Sequence, residues 1–318
     1  MHDWAPGASL DMLQQRAALI NRVRGFFSRH GLLEVTTPVL STAAATDPAL
    51  RSMAVDRADG SRHWLHTSPE FPMKRLLAAG SGDIWQLCTV FRDGETGRWH
   101  NPEFMLLEWY RLGYDDLQMA AETVALIRHV MGDTRGDAEY VTYRDAFMRH
   151  AGVDPLSDSD QTLIEAALGA IAVSGPVHWT RAEWLDLLGS ALVYPALGRG
   201  RITVLTDYPA EQAALARLKP GNPKVAARFE VFVDGVEVAN GFHELADAAE
   251  QRRRFVEEQD RRRAAGDTVA PLDERLLAAL EHGLPNCAGV ALGVDRLIAL
   301  TLGARSLAEV IAFTADRA

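Results

Sequence analysis

The chain has 318 residues, 47% of them hydrophobic and 24% charged, which is enough to bury one large core or two modest ones. No apolar run approaches the roughly 20 residues of a membrane-spanning helix, and the first residues lack the basic and apolar regions of an export signal, so we expect a cytoplasmic protein. A formal net charge of −10 argues against nucleic-acid binding, because that affinity depends on neutralising phosphates.

The first predicted element is an amphipathic helix over residues 9–30, where apolar residues recur at steps of three and four. Gly31 is suited to end it, because glycine readily adopts the left-handed conformation found after helices. A strand is predicted over residues 32–39, with Pro38 near its end. A long helix, a glycine and a strand therefore open the chain.

A second helix is predicted to begin at Ser68, Pro69 and Glu70, after a short strand over residues 64–67. Serine caps helices, proline is tolerated in the first turn, and an acid there complements the helix dipole. This start signal alone explains all three residues. Glu70 also lies at the end of a strand, where sheet proteins build pockets, so a structural role and a binding role both stay open.

A polar hairpin is predicted over residues 87–110, with one strand that ends near Arg92 and a second that begins at Phe104. Arginine presents a rigid fork to phosphate oxygens, and carboxylates hold Mg²⁺ or an ammonium group. The polar side chains of interest in the hairpin are Arg92, Arg98, His100, Glu103 and Glu108. Together they suit a polyphosphate with its metal, although an ordinary hairpin with surface charges explains any one of them.

The middle of the chain is interpreted as scaffold. A helix is predicted over residues 115–131, and residues 137–201 are predicted to form a helical insertion without a cluster of reactive side chains. One helix of the insertion is predicted over residues 161–172, and another begins at a capping box of Thr180 and Glu183.

A second hairpin is predicted around Asp234 and Gly235, the strongest short turn signal in the chain. Its second strand and the continuation of that strand carry Glu237 and Glu244. These two carboxylates could meet around one divalent ion if the chain bends at Gly241, a residue that permits such a bend. Alternatively, Glu237 simply faces solvent or a strand partner.

The last predicted strand, over residues 287–293, is made of small residues and leads into a helix with Arg296 in its first turn. Glycine permits the close approach of a ligand, and a helix N-terminus favours phosphate, although a tight strand-to-helix crossing has the same pattern. The sequence contains neither a Walker P-loop nor a GxGxxG turn after a strand, so a nucleotide would need another scaffold. An antiparallel sheet that carries Arg92 and Arg296 is the candidate.

Two other groups of residues are expected to be structural. Cys88 and Cys287 have no metal-ligand spacing and are interpreted as buried free thiols. The triplets Arg252–Arg254 and Arg261–Arg263 alternate with acids on one predicted helix, which indicates a solvated face of mixed charge.

Three ordered stretches resemble the motifs of class II aminoacyl-tRNA synthetases. Residues 9–38 resemble motif 1, residues 91–108 motif 2, and residues 289–296 motif 3. The lysyl subgroup is indicated by Ser68-Pro69-Glu70, Met73-Lys74-Arg75-Leu76, His100-Asn101-Pro102-Glu103-Phe104 and Asn240-Gly241-Phe242-His243-Glu244-Leu245. The resemblance implies an α+β fold, with a mainly antiparallel sheet flanked by helices, in one catalytic domain over residues 1–318.

Within that subgroup the chain is similar to ligases that activate (R)-β-lysine as an adenylate and join it to a lysine of elongation factor P. Motif 1 begins within the first dozen residues, so no anticodon-binding barrel is expected. Ala291 is the most telling residue, because lysyl-tRNA synthetases tend to have glycine there and an extra methyl group reshapes the amino-acid pocket. The resemblance implies ATP and Mg²⁺ as cofactors and a homodimer built by motif 1.

The resemblance also implies roles for individual residues. Arg92 would be catalytic and hold the α-phosphate of ATP, and Arg296 would be catalytic and hold the γ-phosphate. The other residues expected to bind ATP are Asp93, Gly94, His100, Asn101, Glu237, Val238 and Gly293. Those expected to bind the amino acid are Ser68, Pro69, Glu70, Tyr110, Phe242, Glu244 and Ala291, and Glu237 and Glu244 are expected to bind Mg²⁺.

One departure from the family concerns the start of the motif 2 loop. The family usually reads Arg-Asn-Glu where this chain reads Arg92-Asp93-Gly94. The glutamate that helps to hold the adenine side of ATP is therefore either lost or replaced by Glu95.

Two other functions stay open. A stand-alone lysyl-tRNA synthetase-like enzyme is disfavoured by the acidic composition and by the expected lack of an anticodon-binding barrel. A non-catalytic paralogue that only binds an amino acid would be signalled by loss of Arg92, Arg296 or the acid pair, and all of these are present.

Overall fold

The computed structural model describes residues 4–132, 136–171 and 179–318. The α-helices of these residues are α1 (Leu10–His30), α2 (Glu70–Ala78), α3 (Asp116–Met131), α4 (Tyr143–His150), α5 (Asp160–Ala170), α6 (Arg181–Leu188), α7 (Ala248–Ala265), α8 (Glu274–Gly283) and α9 (Val294–Thr301). Their strands are β1 (Leu33–Glu34), β2 (Leu40–Ser41), β3 (Ala54–Asp56), β4 (Arg62–Leu65), β5 (Ile84–Phe91), β6 (Glu103–Leu112), β7 (Glu139–Thr142), β8 (Ile202–Pro209), β9 (Leu218–Lys219), β10 (Asn222–Val233), β11 (Val236–His243) and β12 (Cys287–Gly293). None of these helices combines the length and the apolar character needed to cross a membrane.

A nine-stranded sheet lies at the centre of the described structure. Its strands run in the order β1-β5-β6-β12-β11-β10-β8-β7, and β9 pairs with β10. Within the described ranges, β1 is parallel to β5 and β7 to β8, and the other neighbours are antiparallel. Strands β2, β4 and β3 form a smaller second sheet. The prediction of a mainly antiparallel sheet flanked by helices is confirmed.

Helix α1 ends at Gly31 as predicted and begins with a serine cap that the sequence analysis did not name. Ser9 Oγ accepts a hydrogen bond from the N–H of Met12 at 3.2 Å, and Gly31 follows the helix with a φ of 71°. The strand predicted over residues 32–39 is shorter than expected, because the chain leaves β5 soon after β1. The residues before Pro38 therefore run as a loop, which suits a residue that has no N–H to offer a sheet.

Alternation along the central strands separates a dry face of the sheet from an open one. On β6, Leu107 and Trp109 pack into the core with Phe27 of α1, whereas Glu108 and Tyr110 point to the opposite face. Strand β12 repeats this pattern, with Ala288, Val290 and Leu292 in the core and Gly289, Ala291 and Gly293 on the open face. Residues of α1, α3 and α9 belong to the same core, so these helices cover the dry face.

The segment predicted as a helical insertion also contains a strand. Helices α4, α5 and α6 enclose a hydrophobic cluster against β8, and Thr180 and Glu183 form the predicted capping box. Strand β7, which the prediction missed, pairs with β8 and extends the main sheet. It has four residues, too few for an alternating pattern to identify it. The helix predicted over residues 161–172 ends at Ala170, and Ala172 lies outside the described residues.

The arginines of α7 divide between the surface and the interior. Arg252 and Arg253 form exposed ion pairs, as predicted. Arg262 is buried and donates hydrogen bonds to backbone carbonyls of the loop that contains Thr46, so the prediction of a solvated face is wrong for this residue. Helical periodicity could not show this, because the loop comes from a distant part of the chain.

Both cysteines are free thiols, but they differ in burial. Cys287 is buried as predicted, whereas Cys88 is half-buried. Burial is the main cause that raises the pKa of each thiol to about 12, so neither is a ready thiolate at neutral pH.

Gly241 provides a test of the packing between β11 and its neighbours. A Cβ at this position would collide with the ring of Phe229 and lie 2.9 Å from the carbonyl oxygen of Gly289. We expect Gly241→Ala to lower the free energy of unfolding by about 1–3 kcal/mol, because overpacking forces rigid neighbours to move. Urea denaturation measures this change.

Gly169 in α5 is the matched control, because a Cβ there meets nothing within 4 Å. Gly169→Ala should leave the free energy of unfolding unchanged or raise it by up to about 1 kcal/mol. Equal stability of the two variants would contradict the packing described here.

Candidate active site

A cavity of about 610 Å³ lies on the open face of the sheet. Its walls come from the β5–β6 hairpin, from β11 and β12, and from the start of α2. The loop after β2 and residues of α7 and α8 complete its lining. Strands that are distant in the sequence therefore bring their polar side chains together here.

Most of the residues predicted to bind ATP or the amino acid line this cavity. They are Ser68, Glu70, Arg92, His100, Asn101, Tyr110, Glu237, Val238, Phe242, Glu244, Ala291, Gly293 and Arg296. Pro69, Asp93 and Gly94 are absent from the described lining, so the structure does not bring these three to the cavity.

The turn that follows Arg92 explains why Asp93 and Gly94 miss the cavity. Gly94 has a φ of 79°, a conformation that would strain a glutamate at this position. Glu95 follows the turn and lines the cavity, with Oε1 3.5 Å from Nη1 of Arg92. Of the two alternatives for the missing glutamate, the geometry supports replacement by Glu95. Asp93 instead holds the loop through its N–H, which donates to the carbonyl of Arg51 at 2.8 Å.

Arg296 joins three parts of the chain. Its Nε donates to the carbonyl of Trp99 at 3.1 Å and its Nη1 to the carbonyl of Glu237 at 3.0 Å. Its Nη2 lies 2.7 Å from Nε2 of His100. Burial and the neighbouring Arg296 lower the pKa of His100, so the neutral ring accepts this hydrogen bond. The guanidinium is therefore fixed in direction while 21% of its side chain stays exposed to the cavity or solvent.

Arg92 lies just after β5, with 24% of its side chain exposed. Its Nε donates to the carbonyl of Thr67 at 3.3 Å, and its guanidinium lies 5.0 Å from the centre of the Phe104 ring. These contacts orient the guanidinium and leave donors available for an anion.

Asn101 has a different place from the other predicted ATP ligands. Its Nδ2 donates to the carbonyl of Glu103 at 2.6 Å, and its Oδ1 accepts from the N–H of Ala315 at 3.0 Å. Both polar atoms of the side chain therefore have protein partners. Asn101 ties the hairpin loop to the C-terminal segment and so supports the neighbouring Trp99 and His100.

A second polar cluster, here called the amine pocket, consists of Ser68, Glu70, Lys74, Glu108, Tyr110 and Glu244. Lys74 Nζ lies 2.6 Å from Oε1 of Glu70 and 2.6 Å from Oε2 of Glu244. The hydrogen-bond partners of Glu108 are hydroxyl groups, with Tyr110 donating to Oε1 at 2.7 Å and Ser68 to Oε2 at 2.6 Å. Ser68 also accepts from the N–H of Glu70 at 3.0 Å, so one serine contacts both the first residue of α2 and Glu108, although the N-cap of α2 is Pro69 and not the predicted Ser68. The pocket thus holds three carboxyl groups and one ammonium group, which contacts two of them.

Electrostatics in the amine pocket favour a cationic ligand. Burial and the nearby Glu70 raise the pKa of Glu108 to about 8. Burial also raises the pKa of Glu244 to about 7, against the opposing attraction of Lys74. Burial and Glu108 hold the pKa of Tyr110 well above its usual value, so its hydroxyl stays a donor. Because a buried carboxylate is costly without a countercharge, a ligand with ammonium groups would stabilise the ionised pocket.

Gly289 makes room for this cluster on the floor of the cavity. A Cβ at this position would collide with the ring of Tyr110 and lie 2.5 Å from Oε1 of Glu244. The close approach of these side chains to β12 therefore requires glycine.

Sequence reasoning assigned no role to Lys74 and placed Glu108 only among the side chains suited to a polyphosphate with its metal. Lys74 follows Glu70 by four residues, which places both on one face of α2, and it is one of three lysines in the chain. Those two signals could have found it. Glu108 directly precedes a tryptophan of the core on one strand, so alternation predicts that its side chain points to the opposite face of the sheet. Alternation does not predict that the side chain is buried there.

The bend at Gly241 that a metal site shared by Glu237 and Glu244 would need is absent. Strand β11 stays in register with β12 on both sides of Gly241. Seven residues of extended chain separate Glu237 from Glu244 by roughly 20 Å, so the two carboxylates do not meet around one ion. Within the described ranges, no group of three or more His, Cys, Asp or Glu is arranged to hold a metal ion.

The carboxylate of Glu237 lies 3.4 Å from Nη1 of Arg296 and has a second electrostatic neighbour on β10. Glu230 is buried and accepts a hydrogen bond from Arg228 at 2.6 Å. Burial and the nearby Glu237 raise the pKa of Glu230 to about 7. A divalent cation would relieve this repulsion between two carboxylates. Sequence reasoning missed Glu230, although both residues belong to the predicted hairpin.

The chain is similar to known proteins along almost its whole length. The sequence model of the tRNA synthetases class II (D, K and N) matches residues 3–317. An elongation factor P–(R)-β-lysine ligase from Edwardsiella ictaluri (strain 93-146) is 47% identical over 325 residues, covering 100% of this chain and 99% of the relative. Ligases of the same name are 46% identical in Klebsiella pneumoniae (strain 342) and 48% in Pectobacterium carotovorum subsp. carotovorum (strain PC1), each covering 99% of this chain and 98% of the relative.

Glu108 leads to a prediction about pH and stability. Its pKa is raised from 4.5 to about 8 in the folded protein, so unfolding between these values releases a proton. The free energy of unfolding should therefore fall as pH rises through this window and level off above about pH 8. Glu108→Gln, which keeps the shape without the charge, should be more stable than the parent protein at pH 8 and should show a shallower fall.

Thermal unfolding of the ligand-free proteins from pH 5 to 9 measures both effects. Glu103→Gln is the control, because Glu103 is an exposed carboxylate on the same strand and its removal should leave the slope unchanged. The same pH slope in the parent protein and in Glu108→Gln would show that Glu108 is ionised throughout.

Proposed function

This chain belongs to the class II tRNA synthetases of the D, K and N type, and we propose that it is an ATP-dependent ligase that attaches a lysine-like amino acid to a protein lysine. Relatives named for elongation factor P and (R)-β-lysine make these two our choice of acceptor and amino acid. The observation that carries the proposal is the amine pocket, where the carboxylates of Glu70, Glu108 and Glu244 outnumber the ammonium of Lys74. A diamino acid supplies the missing positive charge.

The amino groups of the substrate would bind to carboxylates of the amine pocket. Ala291 is paired across the sheet with both Glu108 and Asn240, so its methyl group narrows the space between these two side chains. We propose that this methyl group favours (R)-β-lysine over α-lysine by changing where the substrate carboxylate can lie. Phe242 and Gly289 would form the remaining apolar and open parts of the pocket.

ATP would bind between Arg92 and Arg296. The exposed part of the Arg92 guanidinium would hold the α-phosphate, and Arg296, fixed by Trp99 and Glu237, would hold the γ-phosphate. Mg²⁺ would be held at Glu237, whose carboxylate is 40% exposed, with Glu230 as the neighbouring acid. The metal would neutralise phosphate charge.

The proposed chemistry needs positioning more than proton transfer. The substrate carboxylate is already ionised at neutral pH, so its oxygen can attack the α-phosphorus without a general base, and pyrophosphate leaves. An uncharged lysine amine of the acceptor then attacks the carbonyl carbon, an amide forms, AMP leaves and one proton is released. Arg92 and Arg296 would orient the phosphates and stabilise the charge that develops on them.

A homodimer built by the motif 1 segment also remains our proposal. Motif 1 corresponds to α1 and the chain that follows it, and Leu33 and Leu40 in this segment are exposed apolar residues. A monomeric mass in sedimentation velocity at micromolar concentration would contradict it.

The first experiment is pyrophosphate exchange with ATP and Mg²⁺, in parallel with (R)-β-lysine, α-lysine and no amino acid. We expect exchange that depends on the amino acid and is faster with (R)-β-lysine. Labelled amino acid should then move to added elongation factor P and not to total tRNA. Label on tRNA would identify a lysyl-tRNA synthetase-like enzyme instead, and binding of a lysine isomer without exchange would identify a non-catalytic paralogue.

The metal site has its own test. Glu237→Gln should raise the Mg²⁺ concentration that gives half-maximal exchange by roughly 10-fold, because a carboxylate contributes more to a divalent cation site than an amide does. Glu103→Gln, an exposed carboxylate outside the cavity lining, is the control and should leave this concentration unchanged. An unchanged Mg²⁺ requirement in Glu237→Gln would place the metal elsewhere.

A further inference from the structure

Lys74 belongs to the amine pocket but not to the cavity wall. Its side chain is 2% exposed, and its Nζ lies 2.6 Å from a carboxylate oxygen of Glu70 and 2.6 Å from one of Glu244. Glu70 and Glu244 both line the cavity, whereas Lys74 is absent from the described lining. The ammonium group therefore lies behind the two carboxylates. A ligand in the cavity meets Glu70 and Glu244 without displacing Lys74.

Each of the two carboxylates uses one oxygen on Lys74 and keeps the other. Lys74 bonds to Oε1 of Glu70 and to Oε2 of Glu244. The second oxygen of Glu244, Oε1, lies next to Gly289 on the floor of the cavity. The side chain of Glu70 is 16% exposed, so it too is accessible from the cavity. One oxygen of each carboxylate therefore remains for a ligand.

The charge of Lys74 is maintained by these same contacts. Burial disfavours its ammonium form, but the attraction of Glu244 and Glu70 is stronger and raises the pKa of Lys74 above its usual value. Arg217, the other cation beside Glu244, donates to the backbone carbonyl of Glu244 at 3.0 Å and not to its carboxylate. Within the described ranges, Lys74 is thus the cation that directly contacts the carboxylates of Glu70 and Glu244.

We propose that Lys74 is a positioning residue for substrate recognition, which acts through Glu70 and Glu244 by holding one oxygen of each carboxylate and turning their second oxygens toward the amines of a diamino acid. The inference rests on the proposed function and adds a residue that sets the charge of the pocket. With Glu70, Glu108 and Glu244 ionised, Lys74 leaves two negative charges, which equals the two ammonium groups of a diamino acid. Without Lys74, the pocket would hold three buried negative charges and no internal cation. Its carboxyl groups would then take up protons, because an unbalanced buried charge is costly.

Lys74→Met tests the proposal, because methionine is an uncharged side chain of similar shape. We expect the KM for the diamino acid in pyrophosphate exchange to rise roughly 10- to 100-fold, since protonated carboxyl groups no longer attract its amines, while the KM for ATP changes less than about 2-fold. Lys74→Arg, which keeps the charge, should recover part of the affinity for the diamino acid.

Lys219 provides a matched control. It also lies between two carboxylates, those of Asp116 and Asp207, but outside the cavity lining. Lys219→Met should leave both KM values unchanged. An unchanged or lower KM for the diamino acid in Lys74→Met would overturn the proposal, and a lower value would mean that Lys74 competes with the substrate.

A second measurement uses the parent protein and decides the matter if Lys74→Met does not fold. The chain has three lysines, so the Nζ resonances of ¹⁵N-lysine-labelled protein are few and can be assigned with Lys219→Met and Lys224→Met. The Lys74 resonance should shift on saturation with the diamino acid and not with ATP alone. An unmoved resonance would contradict the proposal.

If the parent protein activates no diamino acid, the proposed function itself fails, whereas an active parent protein with an unaffected Lys74→Met variant overturns this inference alone.

Discussion

Buried carboxylates without enough countercharge are the constraint on which the rest of this structure depends. Glu108 and Glu244 are almost fully removed from water, and Glu70 is close to both. A buried carboxylate is tolerated when hydroxyl groups donate hydrogen bonds to it, or when an internal cation or a ligand balances its charge. Ser68, Tyr110 and Lys74 supply some of the hydrogen bonds and countercharge that these carboxylates need. The negative charge that is left unbalanced determines which ligands the cavity can bind.

The sheet makes this arrangement possible because its two faces are so different. Aromatic and aliphatic side chains on one face pack against α1, α3 and α9. This packing fixes the strands from the face opposite the cavity. Helix α1 is also tied to the part of the cavity that contains Arg296. Arg16 of α1 forms a 2.5 Å ion pair with Asp295, which also accepts the N–H of Met105 and directly precedes Arg296. Residues far from the cavity therefore fix the direction of a guanidinium inside it.

The candidate site was predictable where it depended on local pattern and not where it depended on distant contacts. The hairpin that carries Arg92 and His100, and the strand that leads to Arg296, were found by alternation and by turn residues. Asp93 and Gly94, predicted to bind ATP, lie outside the cavity lining because a single turn with positive φ directs the chain toward Glu95. The joint metal site of Glu237 and Glu244 stays a prediction that lacks the bend it would need, because β11 runs straight through Gly241, which packs closely against Phe229.

By itself, the sequence determined the two hairpins, the glycine that ends α1, the capping box of α6, and the resemblance to a synthetase family, because periodicity, turn chemistry and motifs are local properties. Only the tertiary structure decided which charged residues are buried and what they contact. Lys74 and Arg262 are both cations on helices. The sequence around each does not show that Lys74 contacts a pair of buried carboxylates or that Arg262 donates hydrogen bonds to a loop. Burial and partnership arise when separate segments pack together, so the charge balance of the amine pocket became visible only in the fold.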